Sequence, residues 1–154
     1  MSKKLLLLGL GLVGFCTAAR AQRNGAEVMP FRKANAVLLF TRMAPDSVLR
    51  LLANNLRERG FETAEFNPSA GYFLTKPSIE AGGKGWPLTI RVAHMTGGVV
   101  LTGRYLMPEF IGNPEFPAEF LGFEWSPAKN SFRQLEKTAR LFGGGEVRFS
   151  RWQK

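Results

Sequence analysis

Few side chains in this chain are of types that do chemistry, and their spacing limits what that chemistry could be. Ser126-Pro-Ala-Lys129 is an S-x-x-K arrangement, in which a helix N-terminus presents a serine and a lysine one turn later takes its proton. Hydrolases of that type also need S-D-N and K-T-G partners, and neither tripeptide occurs. A serine N-cap followed by proline and a surface lysine is otherwise an ordinary helix start. His94 is the single histidine and Cys16 the single cysteine, so no disulfide framework and no zinc site of Cys and His ligands can be assembled. His94 has no carboxylate beside it in sequence and reads as a core or edge residue of a strand. Gly82-Gly-Lys84-Gly85 has a phosphate-loop flavour, but no Ser or Thr follows the lysine and no helix pattern starts there, so it reads as a mobile loop. No catalytic residue, metal or cofactor follows from these groups.

Two features of opposite sign remain. Tyr105 to Ala128 contains no Lys or Arg, while Glu109-Phe110, Glu115-Phe116, Glu119-Phe120 and Glu124-Trp125 repeat an acid followed by an aromatic. Just beyond it, Lys129, Arg133, Lys137 and Arg140 fall at i, i+4, i+8 and i+11, a basic stripe on one helix face. These eight residues, Phe110, Phe116, Phe120, Trp125, Lys129, Arg133, Lys137 and Arg140, are the candidate binding set. Used as cover, the aromatic rings pin a long connection to the domain and the basic stripe is a solvated face. Used as a contact surface, the rings stack on a sugar or a partner chain and the carboxylates set orientation. Burial of Phe116, Phe120 and Trp125 is the expectation.

The elements that must position these residues follow from pattern. Val37-Leu-Leu-Phe40 is a short apolar run suited to a central strand. Pro45 and Asp46 open a helix whose Val48, Leu51, Leu52 and Leu56 make one stripe, ended by Gly60. Phe61–Phe66 and Tyr72–Thr75 flank Asn67-Pro-Ser-Ala-Gly71 as a hairpin. A second hairpin alternates Leu88, Ile90 and Val92 with Thr89, Arg91 and Ala93, turns at Thr96-Gly-Gly98 and returns along Val99–Leu106. Met107 to Pro127 reads as a long connection. Ser126-Pro127 starts a second helix with Phe132, Leu135, Ala139 and Phe142 inward, and Gly143-Gly-Gly145 stops it before a closing strand from Glu146 to Trp152. The predicted fold is α+β in two layers: an antiparallel sheet with two helices on one face, in the order β-α-β-β-β-β-α-β.

At the other end of the chain, Met1-Ser-Lys-Lys4 precedes an apolar run from Leu5 to Phe15, and Ala19-Arg-Ala21 supplies an A-x-A site. That pattern is a bacterial secretory signal over residues 1–21, too short in its apolar part to span a bilayer, with a mature chain starting at Gln22. Residues 22–33 read as a flexible lead-in and 34–154 as a single domain. A lipid anchor on Cys16 is the alternative, opposed by Phe15 where lipoprotein signals place a small residue. Removing Lys3, Lys4 and Arg20 from the 21 basic residues leaves 18 against 12 acidic ones, a net charge of +6. Outside the cytoplasm such a charge faces lipid headgroups, lipopolysaccharide and wall polymers rather than nucleic acid.

Leu51-Leu-Ala-Asn-Asn-Leu56, Arg59-Gly-Phe61, Phe66, Gly71-Tyr72 and Thr75-Lys-Pro77 together resemble the helix, strand, turn, strand core of small bacterial envelope domains. The family is that of the globular domains found in a lipoprotein component of the outer-membrane β-barrel assembly machinery. The likeness covers Leu51 to Pro77, and the Phe15-Cys16 junction departs from that lipid-anchored family. It implies a non-enzymatic scaffold or accessory part and transfers no functional residue. The expectation is therefore an exported, periplasmic or secreted envelope protein without enzymatic activity. The alternatives are a module binding an anionic envelope polymer, a sugar or a partner chain through the candidate set, and a hydrolase built on Ser126 and Lys129.

Overall fold

The computed structural model describes residues 26–83, 85–107 and 112–152, and the secretory pattern of residues 1–21 lies outside them. In chain order the described residues form β1 (Ala36–Phe40), α1 (Pro45–Glu58), β2 (Thr63–Asn67), β3 (Tyr72–Thr75), β4 (Leu88–Met95), β5 (Gly98–Leu106), β6 (Glu115–Pro117), α2 (Pro127–Phe142) and β7 (Glu146–Ser150). The strands make one antiparallel sheet in the order β2-β3-β4-β5-β1-β7, with β6 also paired to β5. This is the expected α+β architecture with one strand added. At three residues, β6 is too short for any alternation to announce it, and it exists because β5 has an edge to share.

β5 organises the sheet. One of its edges pairs with β4 from Leu88↔Tyr105 to Met95↔Gly98. Its other edge pairs with β1 over Gly98–Leu101 and then with β6 over Arg104–Leu106. Thr96-Gly97 makes the tight turn between β4 and β5, with Gly97 at φ 83°, where glycine has no steric cost. His94 stands exposed at the end of β4 although it shares the parity of buried Ile90 and Val92.

Both helices cover the same face. Val37, Leu39, Ile90, Val92, Val99, Leu101 and Phe149 from the strands join Leu49, Leu52, Leu56, Phe132 and Leu135 from the helices in one core. α2 follows its sequence signals: Ser126 caps it, Pro127 occupies the first turn, and Gly143 ends it in the left-handed region. In α1 the predicted stripe is turned by one position, since Leu51 is 47% exposed and Leu49 is fully buried. The two leucines flank the same stripe, and the rotation at which the helix meets the sheet selects between them.

Two segments that lack any periodic pattern are tied down. Within the expected flexible lead-in, residues 26–33 are held to the domain: Glu27 and Phe149 exchange backbone hydrogen bonds of 2.9 and 2.8 Å and Phe31 packs on the core. In the Ser78–Trp86 loop, Ser78 and Leu88 also bond reciprocally, and Ala81 N–H donates to the Arg59 carbonyl at 2.9 Å. The Arg59 guanidinium, at the end of α1, donates to Glu80 Oε1 (2.8 Å), Thr138 Oγ1 (2.6 Å) and Gln134 Oε1 (2.7 Å). One side chain thus joins α1, α2 and the loop. Lys84 lies outside the described residues.

Candidate functional site

The acid and aromatic connection is stitched to the sheet before it becomes a surface. Ala118 N–H donates to Gly103 O (2.9 Å), Phe120 N–H to Ala34 O (2.8 Å) and Lys33 N–H to Phe120 O (3.0 Å). The half-buried Phe120 ring meets Phe132 edge-on at 5.8 Å between centroids. From there Leu121-Gly-Phe-Glu-Trp125 leaves the domain and returns at Ser126, whose hydroxyl donates to the Leu121 carbonyl at 2.8 Å. Gly122 has φ 88°, and a Cβ there would lie 2.8 Å from Ser126 Oγ, so only glycine lets the loop close this tightly. Both ends of the loop are fixed.

Phe123 and Trp125 nonetheless point outward, 74% and 84% exposed. Phe116 is 40% exposed and stacks on Tyr105 at 5.7 Å. The expected burial of Phe116, Phe120 and Trp125 is therefore overturned for Trp125, met in part by Phe120, and reduced at Phe116 to one covered ring face. The physical reason is space: the helices fill the covered face, and Phe120 takes the room left beside Phe132. Phe110 lies outside the described residues.

The basic stripe is divided among three carboxylates. Lys129 Nζ lies 2.7 Å from Glu124 Oε2 and 4.7 Å from the Phe120 ring centroid, and Arg133 pairs with the same carboxylate. The hydrogen bond from Lys129, followed by the charges of Arg133 and Lys129, outweighs desolvation and holds the Glu124 carboxyl below its ordinary value. Lys137 instead reaches Glu80 at 2.7 Å, and Arg140 pairs with Glu136 one turn back at 2.8 Å. Lys129 and Arg133 thus belong to the aromatic tip, while Lys137 joins the Arg59 cluster. Burial alone would push the Glu80 carboxyl up, but hydrogen bonds from Lys137 and Arg59 and their charges bring it below the usual range.

Cations that the helical spacing did not reveal stand beside the tip. Arg32 and Lys33 are exposed, and neither has a carboxylate partner among the described residues. Arg32, Lys129, Phe120, Leu121 and Gly122 line a concavity of about 410 Å³. No periodicity could have found Arg32, because only the pairing of Lys33 with Phe120 brings it here. The tip therefore joins exposed rings, a concavity and two cations that have no carboxylate partner among the described residues.

The S-x-x-K spacing serves as a cap. Ser126 Oγ accepts from Lys129 N–H at 3.4 Å and gives its own proton to Leu121, while the lysine ammonium is held by Glu124. Among the described residues no three His, Cys, Asp or Glu side chains gather as a metal site, and no helix is long and apolar enough to cross a membrane.

A second concavity, of about 510 Å³, lies on the sheet face opposite the helices. Leu74, Thr89, Arg91, Thr102, Arg104 and Trp152 are among its walls. The alternation of β4 put Thr89 and Arg91 on the mixed face, but nothing local indicated that Trp152 would come to lie over it. Comparison with protein-family models, curated proteins and solved structures found no match for this chain.

Proposed function

We propose that the chain is an exported envelope domain with no catalytic step of its own, and that it seats its Leu121–Trp125 tip on anionic lipid headgroups. The N-terminal pattern of two lysines, an apolar run and an A-x-A site supports export. The exposure of Phe123 and Trp125 on a loop fixed at both ends carries the contact role. Two large rings held in water forgo roughly 1.5–3 kcal/mol each of burial, which a lipid interface returns. Trp and Phe suit the boundary between headgroups and acyl chains, and each nearby Arg or Lys adds about 1 kcal/mol of attraction to an anionic leaflet. Arg32 and Lys33 supply that charge, while Lys129 on the other side of the concavity is balanced by Glu124.

Cosedimentation with phosphatidylcholine vesicles, with and without a third of phosphatidylglycerol, tests the proposal. The chain from Gln22 onward should bind the anionic vesicles, with a blue shift of tryptophan emission and weakening at high salt. Trp125→Ala and Arg32→Glu should each reduce binding at least tenfold. Equal binding to neutral vesicles, or a Trp125→Ala variant that binds as well as the original, would overturn it; retention of an envelope protein instead would make the tip a protein contact. Mass spectrometry of the envelope-purified protein tests export, with Gln22 expected at the N-terminus and an acylated Cys16 as the contrary result. A fluorophosphonate adduct on Ser126 would refute the non-enzymatic reading.

A further inference from the structure

We infer that the recess on the helix-free face of the sheet is a binding site for an acidic saccharide, separate from the tip. Its position follows from the topology. β5 changes partner from β1 to β6 along one edge, and the recess is lined by Thr102, Gly103 and Arg104 at that change. Leu74, Arg91 and Thr102 stand in one row across β3, β4 and β5, and Thr89, Arg104 and Pro117 in the next row across β4, β5 and β6. Backbone bonding continues past β6 through Ala118 to Gly103, which extends the first row to Glu119. Arg91 and Glu119 therefore lie about 10 Å apart, two strand spacings, with Thr102 between them.

The charges are not equivalent. Arg104 is committed to Glu115 through its carboxylate at 3.0 Å and its carbonyl at 3.0 Å. Arg91 has no carboxylate partner among the described residues; its guanidinium lies 5.3 Å from the Tyr72 ring centroid, which orients the group without neutralising it. Arg91 is thus the anion receptor, and Glu119 and the two threonines offer acceptors and donors to hydroxyls.

The remaining wall is aromatic and is fixed in place by the fold. Asn35, just before β1, accepts from Trp152 N–H at 2.6 Å and donates to the Trp152 carbonyl at 3.1 Å. Both halves of the amide are committed to holding a residue beyond the last strand beside the recess, where its side chain stays 46% exposed. An indole flat against C–H groups, a guanidinium for a carboxylate and spaced hydroxyl partners together match a uronic acid ring better than a bare anion or an apolar ligand. At about 510 Å³ the recess has room for one or two rings.

The test uses the chain from Gln22 onward, ¹⁵N-labelled, titrated with digalacturonic acid, with its neutral counterpart galactobiose and with sodium acetate. Digalacturonic acid should shift the Trp152 indole and the β4 and β5 amides saturably, and galactobiose should bind at least tenfold more weakly. Acetate at equal concentration should leave the Trp152 indole in place. Arg91→Ala and Trp152→Ala, each checked for unchanged circular dichroism, should weaken digalacturonic acid at least tenfold, whereas Trp125→Ala at the tip should not. Absence of a saturable shift, equal binding of galactobiose, an equal response to acetate, or full binding by both recess variants would each overturn the inference. Because Trp125→Ala reports on the tip alone, failure here and failure of vesicle binding are read separately.

Discussion

The two faces of this sheet are made by alternate residues of the same strands, yet they carry opposite obligations. Along β4, Leu88, Ile90 and Val92 are buried under α1 and α2, while Arg91 between them is exposed and Thr89 half-exposed. The covered face is filled, so each residue there answers to its neighbours' shapes. On the other face Ala36, Leu38 and Val100 form only a small apolar cluster near Phe40 and Met95. The rest of that face is polar and concave. A face relieved of core packing can hold a guanidinium and an indole at little cost in stability, which is why groups suited to a ligand can gather there.

The sharpest way to break the contrast is to remove a ring from the covered face. Phe132 is fully buried between Phe120 and Phe149, and Phe132→Ala should cost about 3–5 kcal/mol, read from the midpoint of urea unfolding. Next comes the Arg59 cluster: Arg59→Met removes three charge-assisted or polar bonds at a mostly buried guanidinium and should cost about 2–3 kcal/mol.

The same cluster sets a pH dependence. The Glu80 carboxyl is depressed in the folded state, so its contribution is fully present above the unfolded value of about 4.3 and is lost as pH falls through the lower folded value. Glu80→Gln should therefore flatten the acid limb of a stability–pH curve while leaving its shape near neutrality unchanged. A limb of unaltered steepness would show that other carboxylates carry it.

Smaller effects sharpen the comparison. Ser126→Ala removes the cap of α2 and the tie to Leu121 and should cost about 1 kcal/mol. Arg91→Ala on the open face and Trp125→Ala at the tip should change stability by no more than about 0.5 kcal/mol in thermal unfolding, although each should weaken its own proposed binding at least tenfold. A loss of several kcal/mol at either position would mean that the residue supports the fold.

Much of this architecture could be read along the chain because its signals are local. A serine and proline at the start of α2, Gly143 at its end, the alternation from Leu88 to Val92 and the short turn at Gly97 act within a few residues of one another. Periods of 3.6 and 2 then select helix or strand without reference to the rest of the molecule. The same local view placed Lys129, Arg133, Lys137 and Arg140 on one stripe, and it did not reveal their ion-pair partners. Each finds a carboxylate: Glu124 in the tip for the first two, distant Glu80 for Lys137, and Glu136 on the same helix for Arg140.

What the amino-acid order determined alone was the α+β class, the helix ends, the hairpins and the acid-aromatic composition of the long connection. The tertiary structure decided which flank of α1 faces inward, that β6 exists, that Glu27 binds Phe149, and that Trp125 stands in solvent while Phe120 does not. It also brought Arg32 to the tip and Trp152 to the recess. Each of those outcomes depends on contacts between residues far apart in the chain, and on the volume left once the core is filled. No window of ten residues contains that information.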